Sequence, residues 1–364
     1  MTTAGVRYVT IRFVLFVIAV GIFAGCGMKP EKYYQKMRPN LLKGNYNAAN
    51  EFLDKNKEDI YSKDNRLLFY MDKGMVLSLG KKYTESNIEL ETAKTAAEDL
   101  WTESVGKNAL AWVTTDNSLP YQGEDFEKVM IHFVEAMNFL NMTDYDGARV
   151  EARQVSEKLE LYASKYGEED GPSMYKDDAF AHWMSGKLSE AEGGTEALND
   201  AWIDYKKALK VYGTDYAQRY GTPIPDMLVE DSLRVLEALG PDFKDDYGKV
   251  RSQFAKAHYM SQKDTRQLGE VVLIHMNGEA PYKVDKFWDA QAATEWIRVA
   301  YPEFVAKPHR ITKTRMVPSE GASIDTEIGQ NVTAIAIQNL NDHMGRIKAK
   351  AIARAVAKYL AAKA

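Results

Sequence analysis

Residues able to do chemistry are spread thinly along this 364-residue chain. Ser78-Leu79-Gly80-Lys81 and Ser104-Val105-Gly106-Lys107 each set a lysine three positions after a serine, a spacing in which an amine can activate a hydroxyl nucleophile. Two matches in unrelated places, with neither Ser-Asp-Asn nor Lys-Thr-Gly elsewhere, read as chance, and no nucleophile elbow or phosphate-cradling glycine loop accompanies them. The six histidines are His132, His182, His258, His275, His309 and His343, and none belongs to a two-histidine helical motif. Asp178 and His182 stand at i, i+4, a spacing that supplies two metal ligands or an ordinary surface pair. Glu124, Asp125 and Glu127 follow a turn and precede an apolar helix. Carboxylates there complement the positive helix end, and an acid/base pair is the alternative.

Two basic groups complete the candidates. Arg149, Glu151 and Arg153 alternate on a helix. Arg149 and Arg153 share a face, suited to pairing with carboxylates of the preceding turn or to holding a ligand. Lys307, His309, Arg310, Lys313 and Arg315 form the one basic cluster. Lysines on an edge strand block aggregation, and the functional alternative is contact with an anionic glycan, a lipid head group or an acidic partner. The expected interaction residues are therefore Arg149, Glu151, Arg153, Lys307, Arg310, Lys313 and Arg315, with no catalytic set, no metal site and no cofactor.

The elements that must position these residues are mostly helical. From Met28 to about Met260, apolar residues recur at spacings of three and four. A tyrosine followed three residues later by a small residue occurs at Tyr46 and Ala49, Tyr83 and Ser86, and Tyr145 and Ala148, each time between two apolar helices. This resembles the tetratricopeptide repeat (TPR), although the separations exceed its period of ~34 residues and imply insertions, one of them at Trp112–Gly123. A further helix pair is expected from Asp177 to Tyr212, broken at Gly193-Gly194, with loops at Tyr166–Tyr175 and Gly221–Pro225. Beyond Lys263 the texture changes. Gly269–Gly278, Ile311–Val317 and Asn331–Ile337 read as strands, and Gln338–Ala364 as a helix with no stop signal, so the C-terminal domain is expected to be incomplete as written. The fold class is mainly α: a TPR-like helical repeat array over 26–262, then a small α+β domain over 263–364.

The only cysteine is Cys26, at the end of the uncharged run Phe13–Met28 and behind Arg7 and Arg12. The run is shorter than the ~20 apolar residues of a membrane span and fits a signal h-region. Phe23-Ala24-Gly25-Cys26 resembles the lipobox of bacterial lipoproteins, with Phe23 where leucine is usual. The resemblance implies a signal peptide over 1–25, lipidation of Cys26 and an outer-membrane address, since Gly27 is not the aspartate of inner-membrane retention. Cleavage would remove Arg7 and Arg12 and deepen the net charge of −5 by two, an acidity that argues against general nucleic-acid binding.

Leu119–Glu127, Ala148–Arg153, Gly269–Val272 and Gly278–Lys283 resemble a family of TPR-bearing bacterial outer-membrane lipoproteins, often encoded beside lipoprotein activators of penicillin-binding proteins and of no established activity. The resemblance spans most of the mature chain and speaks to architecture and compartment. The expectation is a periplasm-facing, non-enzymatic scaffold or adaptor, tethered by lipid and binding an envelope protein or peptide. A glycan-binding or peptidoglycan-regulating lipoprotein using the basic C-terminal residues is the alternative.

Overall fold

The computed structural model describes residues 30–111, 120–165, 175–292, 295–319 and 321–363. The expected signal segment, Cys26, most of the expected Trp112–Gly123 insertion and most of the Tyr166–Tyr175 loop lie outside them. Among the described residues the protein is mainly helical, with two small two-stranded sheets.

Among the described residues, helices follow one another as hairpins. The first helices of the pairs are α1 (Pro30–Leu42), α3 (Arg66–Leu79), α5 (Asp125–Asn141), α7 (Ala179–Glu192) and α9 (Asp226–Leu239). Their partners are α2 (Tyr46–Lys55), α4 (Tyr83–Ala111), α6 (Tyr145–Lys165), α8 (Thr195–Val211) and α10 (Lys244–Gln253). Each helix packs on the one before and the one after, so the odd-numbered helices and the even-numbered helices form two layers.

The first three turns are closed in the same way. Gly44, Lys81 and Thr143 adopt left-handed φ values of 69°, 61° and 60°. The next amide in each case donates to a carbonyl five residues back: Asn45 to Asn40, Lys82 to Leu77 and Asp144 to Phe139, at 2.8–2.9 Å. This left-handed closure satisfies carbonyls that a helix end would leave orphaned. The tyrosine then opens the returning helix. The small residues Ala49, Ser86 and Ala148 are each 0% exposed, because they sit where two backbones meet. Ser86 Oγ donates to Gly74 O across the α3–α4 hairpin at 2.7 Å. A Cβ on Gly74 would lie 2.4 Å from Leu90. In the fourth hairpin the break falls at Gly193-Gly194, as expected, with φ of 76° and 85°. The close approach there is Gly186 against the Tyr205 ring.

The largest core runs through α5 to α10 and is rich in fully buried aromatics, among them Tyr205, Tyr212 and Tyr216. After α8 the chain makes one π-helical turn, Tyr212–Tyr216, that places both of those rings inward.

Beyond residue 262 the structure corrects the expected strands. Gly269–Gly278 has no regular secondary structure and belongs to no sheet, and Ile311–Val317 yields only Arg315–Met316. The β-branched residues fit a pleated surface, but a strand also needs a backbone hydrogen-bond ladder, and among the described residues none joins the 269–278 run to a neighbour. The sheet is instead an antiparallel ribbon of β1 (Tyr282–Ala292) and β2 (Glu295–Val305), with Tyr282 opposite Val305 and Ala292 opposite Glu295. Arg315–Met316 is β3 and pairs with β4, Ile324–Asp325. Asn331–Ile337 is helical: Asn331 caps α11 (Val332–Asp342) by accepting from Ala334 N–H at 3.0 Å. Ile335, Ala336, Asn339 and Leu340 turn inward at helical spacing. A break at His343 separates α11 from α12 (Met344–Lys363). Lys348 of α12 stacks over Trp288 and Tyr301 on one face of the ribbon. Ile335 and Ala336 are members of the same core cluster as α5–α10. Among the described residues no helix is long and apolar enough to cross a membrane.

Candidate functional site

The C-terminal layer lies on the odd-helix face of the array, and its contacts define the candidate site. On α1, Arg38 holds Glu279 at 2.5 Å. At the start of α5, Glu124 pairs with Lys283, and the Phe126 ring meets Phe304 edge-on at 6.3 Å. On α7, Lys187 meets Glu270 at 2.5 Å, the Asp178 cap accepts from Gln330, and the Phe180 ring packs so close to Gly329 that a Cβ there would lie 2.5 Å from it. Glu327 accepts from the first amide of α9, Asp226 N–H, at 2.6 Å. The π turn contributes a hydrogen bond of 2.5 Å from Tyr212 Oη to Gly329 O. Arg219 closes the junction by clasping both Asp342 oxygens at 2.6 and 2.8 Å. These contacts fall on odd-numbered helices or on residues 212–220.

Across the odd-helix face the segment 269–281 is held mainly by side chains. His275 bonds Thr314 at 2.7 Å, and Asn277 donates to Ile311 O. Arg38 and Lys307, 2.9 Å away on the other side, hold the Glu279 carboxyl down to about 2.

Behind this face two clusters of buried charge tie the helices together. In the first, Lys94 of α4 lies against Glu135 of α5 and 3.2 Å from Glu151 of α6, whose other neighbour is His132 Nδ1 at 2.7 Å. His132, Glu135 and Glu151 offer three ligand atoms within 4.8 Å of one another, a constellation compatible with a metal. The Lys94 ammonium stands among them and supplies the positive charge that an ion would bring. Burial pushes the Glu135 carboxyl up to about 8, against the pull of Lys94. Burial acts the same way on Glu151, but the His132 bond and Lys94 prevail and hold it below the usual range. A small pocket beside the cluster, lined by Lys128, Lys158 and Tyr162 among others, is no larger than a water.

The second cluster joins α7, α8 and α9. Arg234 makes two bonds to Glu190, at 2.5 and 3.1 Å, and a third to Asp231. Lys187 bonds Asp231 at 3.0 Å, and Tyr205 and Trp183 donate to Glu190 and Asp231. Lys187 is thus both a member of the buried network and the cation that Glu270 reaches.

The residues singled out from sequence are dispersed. Arg149 and Arg153 do share a face. They pair forward, with Glu192 at 2.5 Å and Asp200 at 3.3 Å, rather than chiefly back to the preceding turn. Glu151 points the other way, into the buried Lys94 cluster. Lys307 pairs with Glu279, which Arg38 also holds, and Lys313 and Arg315 share Asp325, so three of the four basic candidates are ion-paired, although the cations outnumber the carboxylates. Arg310 is exposed, with no ion-pair partner among the described residues.

Glu127 accepts from Glu124 N–H at 2.8 Å, the helix-capping role, while Asp125 pairs with Lys128 at 2.8 Å. Asp178 and His182 are not a surface pair. Both are buried, Asp178 caps α7 through Ala181 N–H, and His182 lies 2.7 Å from Asp177. Ser78 donates to Asn138 at 2.6 Å and Lys81 is exposed in the left-handed turn, while the Ser104 and Lys107 side chains lie outside the description. Lys94, Glu135, Lys187 and Arg234 went unnoticed. Their local traces were i, i+3 pairs such as Lys187 with Glu190 and Asp231 with Arg234, which look like ordinary helix-surface charges.

No protein-family model matches the sequence, and no curated protein matches it. Solved structures resemble it weakly. The crystal structure of BtubC (BKLC) from P. vanneervenii has a TM-score of 0.38 and 13% identity, over 68% of this chain and 87% of that one. The Rap conjugation gene regulator of the plasmid pLS20, in complex with the Phr* peptide, has a TM-score of 0.33 and 14% identity, over 60% of this chain. The match spans about half of that regulator, 52% of its length. Neither likeness is close enough to carry an argument about role.

Proposed function

We propose that the protein is a non-enzymatic, membrane-tethered scaffold of the cell envelope, built as a TPR-like array with a small α+β region laid across it, that binds another envelope protein. The single observation behind this reading is that the odd-helix face already holds a run of polypeptide without regular secondary structure by side-chain contacts. Faces of stacked helical hairpins are suited to such segments. The lipid on Cys26 would keep the array at the outer membrane facing the periplasm, and tethering raises the effective concentration of weak contacts. A glycan-binding alternative would draw on the basic cluster, whose cations outnumber the two carboxylates, Glu279 and Asp325, that pair with them.

The test is a pull-down of the full chain from cross-linked cells. An envelope protein enriched above background is the expected result, and recovery of none would count decisively against the scaffold. Mass spectrometry of the mature N-terminus tests the tether separately. A diacylated Cys26 is expected, and an intact Met1 would remove it.

A further inference from the structure

Glu270 and Glu279 mark the two ends of the segment, and both meet cations on odd-numbered helices. Glu270 reaches Lys187 on α7, and Glu279 reaches Arg38 on α1. Helices α1 and α7 are three hairpins apart along the chain, so one run of nine residues links the first hairpin to the fourth. Midway, Ile274 packs on the main core. Val271, Val272, Leu273 and Met276 remain exposed. Its backbone makes no hydrogen bond to the backbone of any other described residue.

We propose that the odd-helix face between α1 and α7 is a binding site for a peptide that carries two carboxylates about nine residues apart and an aliphatic side chain between them, and that Gly269–Pro281 is the chain's own version of that ligand, displaced when the partner docks. The proposal rests on the scaffold reading and names the chemistry of its partner. The chain's own segment states what the face accepts: a carboxylate at Lys187, a carboxylate at Arg38 and an aliphatic anchor on the core. Its hold is one that a competitor can break. The Arg38–Glu279 pair is open to solvent, where such pairs are weak and screened by salt. The advantage of the resident segment is its tether, which gives it a high local concentration.

The experiment uses the full chain and a labelled synthetic peptide spanning Leu268–Tyr282. In the Glu270→Lys/Glu279→Lys variant, hydrogen exchange across 269–281 should quicken. The peptide should bind this variant at least tenfold more tightly than it binds the wild-type chain, and the binding should weaken as salt rises. The swapped pair Arg38→Glu/Glu279→Arg should restore slow exchange and weaken the peptide again, which separates release of the segment from misfolding. Equal affinity for wild type and variant, or exchange unchanged in the variant, would overturn the proposal. So would quickened exchange with no peptide binding. The scaffold reading would outlast each of these results, because it is judged by the pull-down.

Discussion

The helical array and the layer laid across it are held by opposite means. In the array, charge is buried and shared among three helices at a time, as Lys94 is among Glu91, Glu135 and Glu151. Backbones approach closely enough that a glycine is needed, as at Gly186. In the layer, several ion pairs stand in solvent, as Arg38–Glu279 and Lys313–Asp325 do. Most of the exposed large apolar side chains also lie here, from Val271 at 72% to Trp296 at 71%. The difference teaches which parts can move. Removing one partner in the array strands a charge in a medium that tolerates it poorly, whereas removing one partner in the layer frees a segment and leaves the core intact.

Deleting a buried cation should break the comparison most sharply. Lys94→Met leaves Glu135 and Glu151 without the cation they share, and should destabilise the chain by about 3–5 kcal/mol in urea unfolding. Next come paired glycine substitutions. Gly186→Ala drives a Cβ to 2.6 Å from the Tyr205 ring, and such overpacking costs about 1–3 kcal/mol. Gly269→Ala meets nothing within 4 Å and should leave the denaturation midpoint where it is. Equal effects at the two positions would show that the layer is packed as tightly as the array.

The turns offer a smaller gain. Thr143 is β-branched at a φ of 60°, so Thr143→Gly should raise stability by about 1 kcal/mol. A pH series sharpens the contrast without changing packing. The folded chain keeps the Glu135 proton up to about pH 8, whereas an ordinary glutamate loses it near 4.5. Protonation therefore favours the folded state across that window, and the contribution from Glu135 falls as pH rises through it. The midpoint of Glu135→Gln, measured from pH 6 to 9, should fall less steeply than that of the wild type. Arg38→Ala should give the smallest effect on stability. No measurable change in midpoint is expected, with faster exchange confined to the neighbourhood of Glu279.

The array was legible in the chain because its signals are local. Tyr46, Tyr83 and Tyr145 each precede a small residue by three, and Gly193-Gly194 breaks a helix pair where the structure breaks it. The residue two before each tyrosine, Gly44, Lys81 or Thr143, is the left-handed one, but only the glycine advertises that conformation. The layer was largely illegible for physical reasons. The ribbon 282–305 turns at Ala292–Glu295 without the glycine or asparagine that advertises a hairpin. The run 271–274 has strand-like residues and, among the described residues, no backbone ladder to a neighbour, and α11 hides behind β-branched residues that its Asn331 cap and helical burial override. The buried charge clusters are long-range facts. Lys94 and Glu151 are 57 positions apart, and nothing near either residue announces the other.

The pair Arg38–Glu279 also sets a clock. Its partners lie 241 positions apart. At roughly 5–20 residues per second, about 10–50 s of synthesis separate the two. Hairpins form in far less time. Once α7 and its partner α8 are made, the odd-helix face exists for the last part of that interval without the segment that later crosses it, so a newborn molecule briefly presents a surface that a finished one covers. Any partner able to use that face has a privileged moment in the life of each copy, before the last third of the chain arrives.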